Sequence, residues 1–270
     1  NELNVAPSAG TSYNAVAGSV FNLATTFAPG FTPSSYAQLK YLVKTDANSA
    51  ITYGAGLSAV TAPATAQAVS LTSSAVSATA TAATDVAYLG LMASDATVTS
   101  SVEVTAFVDA NNNGALNAGE WNTVKTVTFK KLADITPVVT LAQPSTGDTT
   151  VSATVAWGDL NIEQANRTTF LTATGSTNSA LGVEFNIAGA GYPTAAATGV
   201  SYSSTTGKFS KTVSALASAA TVAARAVYAT NTFASSTNTY ASTLLGSAAS
   251  AAATARTINA TGTGLVSNVL

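Results

Sequence analysis

The chain has 270 residues, 47% of them hydrophobic and only 8% charged, with a net charge of -2, a pI of about 5.0, and neither cysteine nor histidine. Without Cys or His there is no disulfide, thiolate nucleophile, zinc cluster of the common kinds or Ser-His-Asp triad. The ten Lys and Arg are scattered, so no basic stripe exists for nucleic acid or anionic lipid.

Val, Leu, Phe, Tyr and Ile recur throughout, which marks a chain that folds. Ser, Thr, Asn and Ala stand where charges usually do. A surface of small hydroxyl and amide groups is buried against a neighbour at lower cost than one of Lys and Glu, and it suits assembly. No apolar run reaches the length of a membrane span, and the opening Asn1-Glu2-Leu3-Asn4 has neither Met nor a leader, as expected of a mature or trimmed chain.

Residues 1–35 are punctuated by Gly, Pro and Ser, with Phe21, Phe27 and Phe31 around Pro29, Gly30 and Pro33. They predict an extended N-terminal arm packed on the first domain or on a neighbouring subunit. Residues 36–133 predict a first β-sandwich. Its strands are expected at 39–44, 51–53, 68–79, 86–92, 98–108 and 124–130, with a turn at 46–49. Val124 and Val127 have opposite parity, so one inward face holds both only if a bulge or register change lies between them.

Between the last two strands lies the most informative stretch. Residues 109–120 match the twelve-residue loop D-x-[DN]-x-[DN]-G-x₅-E at every defined position. A hard cation wants oxygen donors. The spacing offers Asp109, Asn111 and Asn113 at positions 1, 3 and 5, the Ala115 carbonyl at 7, Asn117 at 9 and a bidentate Glu120 at 12. Gly114 stands where the loop must turn sharply, and Leu116 is expected to anchor the loop to its domain. The expected ion is Ca2+. With only two carboxylates the affinity should be weak, roughly 10⁻⁴ to 10⁻³ M, which suits a calcium-rich exterior. The competing reading is an Asn/Gly-rich turn that binds nothing.

With β-rich sequence on both sides of this loop, the chain resembles the immunoglobulin-like modules of bacterial surface proteins that carry an EF-hand-like calcium loop between strands. The resemblance implies an all-β fold of two tandem immunoglobulin-like β-sandwiches. It also implies a surface-layer-type protein of bacterial or archaeal origin.

Residues 131–137 read as a linker, with Pro137 opening a strand at 138–141 and placing the second sandwich at 134–270. Strands are expected at 151–157, 170–173, 183–187, 200–202, 208–213 and 221–228, separated by turns such as 205–207. The Ala-rich stretches 214–227 and 244–256 favour helix by propensity and strand by setting; strand is the expectation. Trp157 is a candidate core tryptophan.

Other candidates have plainer readings. Asp159 and Glu163 form the nearest approach to a carboxylate pair outside the loop, and a solvated loop explains them better than catalysis. Asp46 with Asn48, and Asp148, are candidate cation ligands or turn residues bonding their own backbone. Tyr192, Tyr202 and Tyr240 are a candidate sugar platform or ordinary interface residues. Asn166 and Asn259 head N-glycosylation patterns.

Taken together, the sequence predicts a non-enzymatic, self-assembling structural protein, extracellular and at a cell surface, whose loop near the linker stiffens the two domains. Its partners are expected to be copies of itself, a cell-envelope glycan or another surface or virion protein. A virion decoration or fibre protein, and an adhesin or carbohydrate-binding module, are the competing assignments.

Overall fold

The computed structural model describes residues 3–46, 50–61, 63–67, 74–161, 181–192, 200–234, 237–244 and 250–255. The first unit runs β1 (Leu3–Ala6), β2 (Ser12–Val16), β3 (Phe21–Phe27), β4 (Leu39–Thr45), β5 (Ile51–Gly56), β6 (Thr65–Gln67), β7 (Ser74–Ser77), β8 (Ala87–Ala93), β9 (Ser100–Val108) and β10 (Asn122–Lys130). These build two sheets, β1-β3-β8-β5-β6 and β2-β10-β9-β4-β7. Between them lies a core that includes Leu23, Tyr41, Leu89, Leu91, Val104 and Phe129. Every pairing is antiparallel except β2 with β10, which is parallel. With β1, β3, β8 and β5 on one sheet facing β2, β10, β9 and β4 on the other, and β6 and β7 as further edge strands, the connectivity is that of an immunoglobulin-like sandwich.

Alternation explains the strands. In β4, Leu39, Tyr41 and Val43 point inward and are buried. The Tyr41 hydroxyl hydrogen-bonds with Thr25 Oγ1 at 2.8 Å and with the Ala87 carbonyl at 3.2 Å, so it ties strands of both sheets. Burial pushes its phenol pKa well above the ordinary value. In β10 the inward positions are Lys125, Val127 and Phe129, and the ladder with β9 is unbroken from Asn122 to Phe129. No bulge is needed between Val124 and Val127, because Val124 is simply outward and 40% exposed. Lys125 takes the inward slot and is satisfied there by donating to the carbonyls of Pro7 (3.0 Å) and Gly10 (2.7 Å) and to the Tyr13 hydroxyl (2.9 Å).

The N-terminal residues form no arm. From Leu3 onward they supply β1, β2 and β3 to both sheets of the first sandwich, and Leu3, Val5, Tyr13, Phe21, Leu23 and Phe27 are buried in its core. The Gly and Pro that suggested an arm are turns between short strands, and the aromatic residues are core rather than reach. The first sandwich thus begins at the described N-terminus instead of at residue 36.

The second unit contains β11 (Val138–Leu141), β12 (Thr150–Ala156), β13 (Leu181–Ile187), β14 (Val200–Ser203), β15 (Lys208–Thr212), β16 (Thr221–Ala234), β17 (Thr237–Leu244) and β18 (Ser250–Thr254). The sheets are β11-β12-β15-β14 and β13-β16-β17, with β18 pairing the first half of β16. A second immunoglobulin-like sandwich results, with β11, β12, β15 and β14 facing β13, β16, β17 and β18. Trp157 is buried in its core, edge-on to Phe209 at 6.4 Å. Of the Ala-rich stretches, 221–227 lies in β16 and 250–254 in β18, whereas 214–220 is a turn-containing loop and not the strand expected there. No α-helix occurs among the described residues. The strand expected at 170–173 lies outside them.

The linker is not loose. One 3-10 turn, Leu132–Asp134, is followed by Ile135, which is buried in the second core. Val16 of β2 is buried in that same core, so the first sandwich contributes a side chain to the second. Asn14 N–H donates to Asn161 Oδ1 at 2.6 Å, Asn161 N–H returns a bond to the Asn14 carbonyl at 2.9 Å, and Lys130 Nζ is 2.9 Å from Asp159 Oδ1.

Candidate metal centre

The loop 109–120 joins β9 to β10 in a hairpin. Its shape follows from side chains that accept bonds from their own backbone. Asp109, fully buried, accepts the Asn113 N–H on Oδ1 (3.0 Å) and the Gly114 N–H on Oδ2 (2.8 Å). Asn111 Oδ1 also accepts from Asn113 N–H (3.1 Å), and Asn113 Oδ1 accepts from Ala115 N–H (2.9 Å) and Asn117 Nδ2 (3.2 Å). Asn117 Nδ2 also donates to the Ala115 carbonyl at 2.8 Å. Glu120 closes the ring: Oε1 accepts from Ala110 N–H at 2.9 Å and Oε2 from Asn117 N–H at 2.7 Å. Gly114 has φ +78, the left-handed conformation its place in the loop requires.

All six expected donors, Asp109, Asn111, Asn113, Ala115, Asn117 and Glu120, are therefore joined in one network. Two residues that sequence reading missed hold it from seventy positions away. Lys40 Nζ lies 2.6 Å from Asp109 Oδ2 and 2.8 Å from Asn112 Oδ1, and Gln38 Nε2 donates to the Ala110 carbonyl at 3.0 Å. Nothing in the local sequence announces either, because Lys40 is an ordinary outward position of an alternating strand. Leu116 is 37% exposed and does not anchor the loop; Trp121 does, packed against the first core.

Burial opposes ionisation of Asp109, yet the Lys40 ammonium and the Gly114 and Asn113 N–H groups together outweigh it and hold the carboxyl below the usual range. A hard cation fits this donor set weakly. All donors are oxygen, and each carboxylate oxygen of Glu120 retains a lone pair after its single bond. Against this, Lys40 cancels one of the two negative charges. Among the described residues no group of three or more His, Cys, Asp or Glu is placed to hold a metal.

The position of the loop departs from expectation. It is attached to the start of β10, whereas the linker leaves the end of that nine-residue strand, about 27 Å away at 3.3–3.4 Å per residue. It therefore caps the pole opposite the second sandwich and does not adjoin the linker.

The remaining candidates have structural partners where they are described, and Asp46 bonds β9 instead of its own turn. Asp159 is held by Lys130 and Asn14, while Glu163 lies outside the described residues. Asp46 Oδ2 accepts from Ser101 N–H, and Asp148 Oδ2 from Ser145 N–H within its turn. Tyr192 lies under the Arg225 guanidinium at 3.9 Å and Tyr202 packs on Phe209 at 4.8 Å, each with its own structural partner. Asn48, Asn166 and Asn259 lie outside the described residues, and so does the Tyr240 side chain.

No family model matches the chain, and no curated protein matches it. Among solved structures, a crystal structure of the titin domains z1z2 in complex with telethonin aligns over 96% of each chain at 9% identity, with a TM-score of 0.22. Neither the fold nor the site rests on that likeness.

Proposed function

We propose that this chain is a structural, self-assembling subunit of an extracellular surface layer, with a weak calcium site in the 109–120 loop and no catalytic role. The observation that carries the calcium part is the closed network in which Asp109 and Glu120 gather the loop backbone around the oxygen donors. Calcium held there would stabilise the folded loop by RT ln(1 + [L]/Kd), about 2.7 kcal/mol at a hundredfold excess over Kd. The assembly part is supported by a surface of small polar side chains with few charges. Isothermal titration of Glu120→Ala tests the site: loss of most calcium affinity is expected, and unchanged binding overturns it. Electron microscopy of the purified protein with and without calcium tests the assembly, an ordered array being the expected result and a monomer under both conditions the contrary one.

A further inference from the structure

The chain changes sheets between its first two strands. β1 pairs β3 in one sheet, whereas β2 pairs β10 in the other and only over Thr126–Lys130. The crossing leaves the start of β10 with β9 on one side and no described strand on the other. Val108 N–H donates to the Trp121 carbonyl (3.1 Å), so odd positions of β10 bond β9, and the N–H and C=O groups of Asn122 and Val124 face the opposite side. Beside them, between β1 and β10, opens a recess of about 230 Å³.

The lining of this recess narrows what it can hold. Trp121, half-buried against the first core, supplies an aromatic wall. Asn4, Ser8, Asn122 and Thr123 supply amides and hydroxyls, and among the described residues no Asp or Glu lines it. Its one charged lining residue, Lys125, is 6% exposed, and its three N–H groups are matched by the carbonyls of Pro7 and Gly10 and the Tyr13 hydroxyl. No N–H of that ammonium is left for an anion.

Three properties then select the ligand. Amides, hydroxyls and open backbone pairs offer donors and acceptors side by side, which suits ligand hydroxyls that act as both, whereas an ion uses only one kind. The negative face of an indole attracts the polarised C–H groups of a saturated ring. The unpaired stretch from Asn122 to Val124 is only about 7 Å long at 3.3–3.4 Å per residue before β2 takes over, too short for an added strand and long enough for one ring.

We propose that the recess binds a neutral sugar, one pyranose ring of an uncharged glycan, laid against Trp121 and hydrogen-bonded by Asn4, Ser8, Asn122 and Thr123. Such a site needs neither calcium in the 109–120 loop nor a second copy of the chain, so it goes beyond the structural role proposed above and stands or falls apart from it.

The chain has two tryptophans, and Trp157 is buried in the second core, so its indole N–H signal in NMR spectra is an internal reference. Titration with methyl glucoside, methyl galactoside, methyl mannoside and N-acetylglucosamine should shift the Trp121 signal saturably for at least one of them, with the Trp157 signal fixed. The expected Kd is on the order of 10⁻³ M, as suits a ligand of about a dozen non-hydrogen atoms. Trp121→Ala should abolish saturation transfer from protein to sugar. Asn4→Ala combined with Ser8→Ala, which leaves the aromatic wall in place, should weaken binding at least fivefold and serves if the tryptophan variant misfolds. No saturable shift with any of these sugars far above that concentration, equal affinity in the folded double variant, or a shift given only by glucuronate, adenosine or an extended four-residue peptide overturns the sugar site and leaves the calcium and assembly readings standing.

Discussion

The first sandwich has two poles built by different means. At the distal pole, the 109–120 loop is satisfied by its own polar groups, with Lys40 and Gln38 as the fasteners from a neighbouring element. At the linker pole, Val16 and Ile135 are buried in the second core, and the Asn14 and Asn161 backbones and side chains lock the two units together. Apolar burial is insensitive to ions. The loop held by carboxylates and amides is the proposed calcium site. That site is separated from the inter-domain contacts by the length of β10, so on this proposal a calcium effect on assembly acts through the distal surface and not through the angle between the sandwiches.

The largest break in this comparison is expected at Val16. Val16→Asp puts a charge into the second core and should cost about 4 kcal/mol, with thermal unfolding splitting into two transitions as the sandwiches uncouple. Asp109→Ala strips the acceptor from Lys40 and from two loop N–H groups and should cost about 2 kcal/mol, read as a lower midpoint in urea without loss of the single transition.

Lys40→Met sharpens the distal pole in the other sense. It raises the formal loop charge from -1 to -2, and calcium affinity by titration should rise about tenfold, the effect of roughly 1.4 kcal/mol of removed repulsion. A fall in affinity would mean that Lys40 positions Asp109 for the ion.

Acid acts on the loop through Asp109. The Asp109 carboxyl is depressed in the folded chain, so its contribution is complete above the unfolded value of about 3.9 and is lost as pH falls through the lower folded value. Asp85 and Asp95, held by hydrogen bonds from Thr81 and Ala82 and from Thr97, behave alike. The stability gap between wild type and Asp109→Asn should therefore be constant above about pH 4 and shrink below it. The smallest effect belongs to Asp159→Ala, which removes an exposed ion pair and should cost under about 1 kcal/mol. A larger loss would make that contact a principal tie between the sandwiches.

Strands β4, β5, β8, β9 and β10, the loop at 109–120 and the core role of Trp157 were legible because period-two alternation and loop spacing are local, whereas the short β6 was not, and of the strand expected at 68–79 only β7 lies within the described residues. The N-terminal strands were not. Short strands broken by Gly and Pro have no period long enough to read, and only the pairing of β1 with β3 and of β2 with β10 turns Phe21, Leu23 and Tyr13 into core. Val124 shows the same limit at one residue, since its outward side was decided by Lys125 finding three oxygen partners inside.

By itself the sequence determined an all-β chain with two sandwiches and one oxygen-rich loop, because strand alternation, turn residues and ligand spacing are each written within a dozen residues. Only the tertiary structure decided that Lys40 neutralises part of that loop, that the loop caps the far pole, and that Val16 is buried in the other sandwich's core. Those facts depend on which distant strands lie side by side, and hydrogen-bond pairing between strands far apart in sequence leaves no mark on either strand alone.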